Sequence, residues 1–152
     1  MVRKFENSCV RSLGRVSKNL FSDLYNQLRW YSEFVFGLRA EFHQFSTGYF
    51  EIVIPLEDFY AVVSIQEEAT LYFYRLKMDA GRYQMREKIK VPVSELPLSL
   101  FNLVEQQGDS FTIDSDNLSL NIIATIKGIE NAKKPIASLL DYYYNVDLTG
   151  NM

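Results

Sequence analysis

The chain of 152 residues carries one histidine, His43, and one cysteine, Cys9. A Ser-His-Asp or Cys-His arrangement would have to run through His43, because an imidazole is the usual base that activates such a nucleophile. His43 stands beside Gln44 and near Ser46 at a helix-to-strand junction, where a surface or capping role is expected. One Cys and one His do not make a zinc site, so no metal is expected. Asp109, Asp114 and Asp116 are the nearest approach to a cation cluster. They lack the interleaved oxygen ligands and the glycine of a calcium loop, and read as turn residues. The acid pairs Glu57-Asp58 and Glu67-Glu68 sit at opposite ends of one short apolar run, too far apart to act as one acid/base couple. No G-x-x-x-x-G-K-[ST] or G-x-G-x-x-G run is present. No catalytic residue and no cofactor are therefore expected.

Two stretches carry charge in a pattern that could bind a partner. Arg75, Lys77, Arg86, Lys88 and Lys90 fall with Tyr60 and Phe73 on what reads as the polar face of a sheet. Cations interleaved with aromatic rings can hold a single strand of nucleic acid through phosphates and stacked bases, or an acidic protein surface. In the N-terminal segment Lys4, Arg11, Arg15 and Lys18 share one helical stripe opposite Val2, Phe5, Cys9 and Leu13. Such a segment either folds back on its own domain or lays its apolar stripe on a partner or a second copy.

Net charge is −3, unevenly spread. Residues 1–20 and 75–90 each sum to +4, which leaves −11 for the rest. A dedicated nucleic-acid binder is more often basic throughout. Hydrophobic residues make up 47% of the chain and aromatics 14%, enough for one packed core without a disulfide or metal. A lone cysteine fits a reducing, cytoplasmic setting. No run is long and apolar enough for a membrane span, and the N-terminus lacks the apolar core of a secretory signal. Its Arg- and Ser-rich start has some transit-peptide character.

The elements that must position these residues follow from apolar spacing. Residues 2–42 show apolar positions every three or four, and a helix is expected over residues 17–41, with Phe21, Trp30, Phe34 and Phe36 widening its apolar face. Four runs rich in Val, Ile, Tyr and Phe read as an antiparallel meander over residues 49–56, 59–66, 69–78 and 82–93. Pro55 places the first run at an edge or at its own end. Ser94 is expected to cap a second helix through Leu100, Phe101, Leu103 and Val104, closing at Gly108. Phe111–Asp114 and Leu118–Lys127 read as a hairpin, and Pro135 opens a last helix through Ile136, Leu139, Leu140 and Tyr143.

If each meander turn has two residues, Leu56 opposes Phe59, Gln66 opposes Ala69 and Asp79 opposes Arg82. That register puts Tyr72, Tyr74, Leu76 and Met78 in the core and leaves Arg86 and Lys88 outside. A three-residue turn with a Gly81 bulge would slip the last pairing by one.

The expected whole is a single α+β domain over residues 1–152. It has a long N-terminal helix, a four-stranded antiparallel meander, a helix, a β-hairpin and a C-terminal helix, with the helices mainly on one face of the sheet. Residues 1–15 are expected to project or fray, and 146–152 to form a tail. The expected function is a small non-enzymatic protein-interaction module of adaptor, chaperone or inhibitor type, acting through the sheet face and the N-terminal helix. Its partner would be another protein or a second copy. The alternative is a nucleic-acid-binding accessory protein using the basic, aromatic sheet face.

Overall fold

The structure is a computed structural model describing residues 11–16, 21–79, 81, 83–96 and 115–149. Its elements are β1 (Arg11–Arg15), α1 (Phe21–Trp30) with a π-helical turn (Tyr31–Val35), β2 (Glu41–Ser46), β3 (Tyr49–Leu56), β4 (Phe59–Ile65), β5 (Glu68–Asp79), β6 (Tyr83–Lys88), a 3-10 turn (Val93–Glu95), α2 (Ser115–Asn131) and α3 (Lys133–Thr149). The α+β class and the antiparallel sheet stand as expected. The order of elements does not.

β5 is the axis of the sheet. It is twelve residues long, and its two halves take different partners on the same edge. Its first residues pair with β1, from Arg15↔Glu68 to Arg11↔Leu71, and its second half pairs with β6, from Tyr74↔Lys88 to Asp79↔Tyr83. On the other side the order runs β5-β4-β3-β2. Pro55, which has no N–H to donate, lies past the end of the β2 ladder, which stops at Glu41↔Val53.

The turns decide which side chains meet the helices. Leu56↔Phe59 pairs across Glu57-Asp58 as expected, with Glu57 in the left-handed region at φ 58. The next two turns are each one residue longer than expected: Ile65 opposes Ala69, and Asp79 opposes Tyr83. Gly81, at φ 71, supplies the left-handed residue that a three-residue hairpin uses. The first slip turns β5 over, and the second restores β6 to its expected face. Leu71 and Phe73 therefore point into the core, while Tyr72 and Tyr74 point to the opposite face. Alternation pointed the other way, because Arg75 and Lys77 share a side with Leu71 and Phe73, while Tyr72, Tyr74, Leu76 and Met78 form an unbroken apolar side. β1 pairs along the other edge of the same end of β5, its ladder beginning at Glu68 and continuing through Val16 N–H donating to Glu67 C=O at 2.8 Å.

The helices gather on the face that carries Phe50, Ile52, Ile54, Ala61, Val63, Leu71 and Phe73, all fully buried. Phe21 and Tyr25 of α1 meet the Phe50 ring edge-on at 5.2 and 4.8 Å. α2 touches α1, α3, β1 and β3, and α3 reaches β3. Tyr143 of α3 donates to the Glu95 carboxylate and ties α3 to the turn after β6.

Five sequence expectations are corrected. The helix expected over 17–41 lasts only from Phe21 to the π-helical turn. Gly37, at φ +60, reverses the chain, and Leu38 N–H closes on Ser32 C=O at 2.8 Å. Residues 41–46 then form β2, whose Leu38/Phe42 spacing had imitated a helix. Residues 11–15, which share the charged stripe of an apparent helix, form β1. The strand expected over 118–127 lies within α2. Leu118, Ile122, Ile126 and Ile129 satisfy a helical period as well as part of a period of two, and Ile123, which broke the alternation, is buried beside them. α3 continues past residue 146 to Thr149. Most of the helix expected after Ser94, including Leu100 to Gly108, and the strand Phe111–Asp114 lie outside the described residues, as do Cys9 and Asp109.

Candidate functional site

The face of the sheet turned away from the helices is built around one acid. Glu51 is the lone carboxylate in the apolar run of β3, and its side chain is 1% exposed. Arg86 crosses from β6 and grips it with both terminal nitrogens, Nη1 to Oε2 at 2.9 Å and Nη2 to Oε1 at 2.7 Å. Oε2 also accepts from Tyr49 Oη at 2.5 Å and Tyr72 Oη at 3.1 Å. Arg86 Nη1 donates to Tyr72 Oη as well, at 2.9 Å. The guanidinium lies 4.6 Å from the Tyr74 ring centre, and Lys88 Nζ lies 4.4 Å from that of Tyr72. Tyr60 stacks on Tyr74 at 5.1 Å, with planes 13° apart.

Charge and burial act on this cluster in opposite directions. Burial alone pushes the Glu51 carboxyl up. The Arg86 hydrogen bond and charge, with the Tyr49 and Tyr72 hydroxyls, outweigh it and hold the group below its usual 4.5. The hydrogen bond to Glu51 drives Arg86 upward. Burial first, then the neighbouring Glu51 charge, push Tyr72 and Tyr49 up, and burial does the same to Tyr74. A carboxylate held ionised with its lone pairs occupied is a poor proton carrier near neutral pH. The arrangement is a latch of β6 across β5 and β4 onto β3.

The basic sheet face is therefore smaller than its sequence spacing implied. Arg86, Lys88 and Tyr60 do share the outer face. Phe73 is fully buried in the core on the other side. Arg75 also lies on the helix side, its guanidinium 5.6 Å from the Phe59 ring and 4.8 Å from that of Tyr144, opposite Glu87. Lys77 follows Arg75 on that side, opposite Met85, and Lys90 is exposed beyond the end of β6. The reassignments of Phe73, Arg75 and Lys77 all follow from the inversion of β5. Of the N-terminal stripe, Arg11 and Arg15 stand in β1, Arg15 exposed, whereas Lys4 and Lys18 lie outside the described residues. His43 is exposed on β2 with Nε2 3.2 Å from Glu41 Oε1. Asp116 falls in the first turn of α2. Among the described residues no group of three His, Cys, Asp or Glu side chains is placed to hold a metal ion. Nor, among them, is any helix long and apolar enough to cross a membrane.

A second surface was legible only in part. Trp30, Phe34, Val35 and Phe36, at the end of α1 and in its π-helical turn, are 54%, 74%, 45% and 38% exposed. The signal was a set of aromatics too wide for one buried stripe. π-Helical turns are rare and recur at functional sites. This one is held in shape: Phe36 N–H closes on Tyr31 C=O at 3.0 Å, Lys127 sits 4.3 Å from the Phe36 ring centre, and Arg39 N–H donates to Glu130 Oε2 at 2.8 Å. A cleft of about 700 Å³ opens at the other end of α1, lined by Phe21, Gly48, Glu67 and Thr70 among others. Among the described residues its lining includes the acids Glu67 and Glu68 and no cation.

No protein-family model, curated protein or solved structure matches this chain.

Proposed function

We propose that the protein is a small non-enzymatic interaction module that binds another protein or a second copy of itself through the aromatic surface at the end of α1. The observation that carries this reading is the exposure of four large apolar side chains within seven residues, on a turn anchored at both ends by hydrogen bonds. Contiguous exposed apolar surface on a protein is a common mark of a contact site, and aromatic residues are enriched at the centres of such contacts. A single cysteine supports a reducing, cytoplasmic setting.

The nucleic-acid alternative is less well supported by the geometry. Arg86 commits three of its five N–H donors to Glu51 and Tyr72, so only the remaining, partly exposed edge of its guanidinium could meet a phosphate. Arg75 and Phe73 are on the other face.

The test is affinity capture from host extract, with and without nuclease, using the wild-type chain and a Trp30→Ser/Phe34→Ser variant. The reading expects proteins captured by the wild type, insensitive to nuclease and lost with the variant. Capture that survives the double substitution refutes the assigned surface, and capture abolished by nuclease favours the alternative.

A further inference from the structure

We infer that β2 is a self-pairing edge, and that a second copy of the chain joins it antiparallel about His43 to make one continuous sheet. This rests on the interaction reading above and names the partner for the same end of the molecule.

Three observations point to it. First, among the described residues β2 ends the sheet: it pairs with β3 on one side and has five of its six side chains exposed. Phe45 is 56% exposed and stacks on Tyr49 at 4.9 Å. Exposed edge strands are ready templates for another strand, and proteins usually guard them with Lys, Pro or an early bulge. β2 contains no Lys, Arg or Pro, and its bulge comes only at the far end, between Gln44 and Ser46. On the opposite side of the sheet β1 carries Arg11 and Arg15 and β6 carries Arg86 and Lys88, so self-pairing there would set cation against cation. Charge therefore directs self-association to β2.

Second, the residues about His43 are compatible with a twofold axis. Glu41 and His43 pair with Val53 and Glu51, on the sheet face away from the helices, and Phe45 stacks there on Tyr49. Phe42 and Gln44 pair with Ile52 and Phe50, on the helix face. An antiparallel partner centred on His43 sets Glu41 against the partner copy's Phe45 and Phe42 against its Gln44. Every pair then shares a face, and no two like charges oppose. Each His43 keeps its own Glu41 at 3.2 Å.

Third, α1 lies over this same edge. Tyr25 meets Phe42 at 5.9 Å and Phe50 at 4.8 Å. A twofold through β2 brings two such helices side by side above the joined sheet. It thereby offers cover to the exposed aromatics that end α1.

The register makes a sharp test. Residues directly opposed in an antiparallel pair have Cα atoms about 4.5–5.5 Å apart, within reach of a disulfide. Residues offset by four positions lie about 14 Å apart along the strand and are not. In a Cys9→Ser background, His43→Cys is expected to form a covalent dimer with oxidised glutathione, and Glu41→Cys to stay monomeric. Light scattering of the full chain is expected to show a concentration-dependent dimer mass, and Phe45→Lys to raise the dissociation constant at least about tenfold. A monomeric mass up to about 500 µM overturns the inference, as does equal cross-linking at both positions. If the chain is monomeric yet still captures a protein through Trp30 and Phe34, only the self-pairing fails. If it dimerises but captures nothing, the second copy is the partner.

Discussion

Arg86 and Glu51 stand on strands separated by two others, yet they form the one bidentate ion pair among the described residues, at 2.7 and 2.9 Å. The acid is 1% exposed and the base 39%. The pair is thus a buried charge whose partner is partly in water. Removing the partner strands the charge: Arg86→Ala leaves Glu51 with only two tyrosine donors. The loss expected is about 2 kcal/mol. That is less than the ~3–5 kcal/mol of a fully buried pair, since water partly replaces the exposed base. The double change Glu51→Leu/Arg86→Met is expected to restore most of it. Urea unfolding of the three chains checks both statements; an Arg86→Ala chain as stable as wild type would show that the latch carries no weight.

The same pair sets an acid limit on stability. The Glu51 carboxyl is held below its usual 4.5 in the fold, so its contribution is present above that value and is lost as pH falls below it. Melting temperatures between pH 3 and 7 are expected to fall on the acid side in wild type. In Arg86→Ala, which lacks the depressing charge, the folded and unfolded carboxyl values lie closer together and the acid-side fall is expected to be smaller. The tyrosines act in the opposite sense. Tyr49, Tyr72 and Tyr74 are raised above 10.0, so their contribution is present below pH 10 and is lost as pH rises past it. Alkaline titration of tyrosine absorbance is expected to show Tyr72 ionising only together with unfolding, and Tyr72→Phe to remove that step.

Glu57 holds a left-handed conformation, at φ 58, in the tight turn between β3 and β4. A side chain there is strained by about 1 kcal/mol. Glu57→Gly is expected to stabilise the chain by about 0.5 kcal/mol, once the greater freedom of unfolded glycine is set against the relief. Gly81, at φ 71, is the reverse case: Gly81→Ala is expected to cost about 1 kcal/mol although open space surrounds its Cα. Thermal unfolding of the two variants should shift in opposite directions.

The two sides of α1 should separate stability from binding. Leu28 is fully buried, and Leu28→Ala is expected to cost about 2–5 kcal/mol. Phe34, two turns on, is 74% exposed, and Phe34→Ser is expected to change stability by less than about 0.5 kcal/mol while weakening association. A Phe34→Ser chain with the stability loss of a core substitution would place that ring inside the fold and remove it from the contact surface.

How far the sequence could be read depended on how many sides of an element are apolar. β3 and β4 were legible with the turn between them, because Glu57-Asp58 interrupts two apolar runs and Leu56↔Phe59 follows. α2 was not, because it is packed against α1, α3, β1 and β3. A helix buried on several sides loses its single stripe and can alternate like a strand. The outer-face cluster was half legible. Arg86 and Lys88 were read as outward, but Glu51 was not singled out and Tyr72 and Tyr74 were assigned to the core.

The alternation of Tyr49 to Lys88, with the helical spacing on either side, was enough by itself to indicate an antiparallel sheet within an α+β fold and to single out Arg86 and Lys88 as outward cations. Only the folded chain decided which way β5 faces, because Leu71 and Phe73 compete with Tyr72 and Tyr74 on nearly equal hydrophobic terms. The three-residue turn over residues 66–68 sets Ile65 against Ala69, and β1, arriving from far along the chain, pairs with the result from Glu68. Only then do Arg75 and Phe73 leave the surface, and only then can Arg86 find Glu51. Pairing between distant segments is the one contribution that local spacing cannot encode.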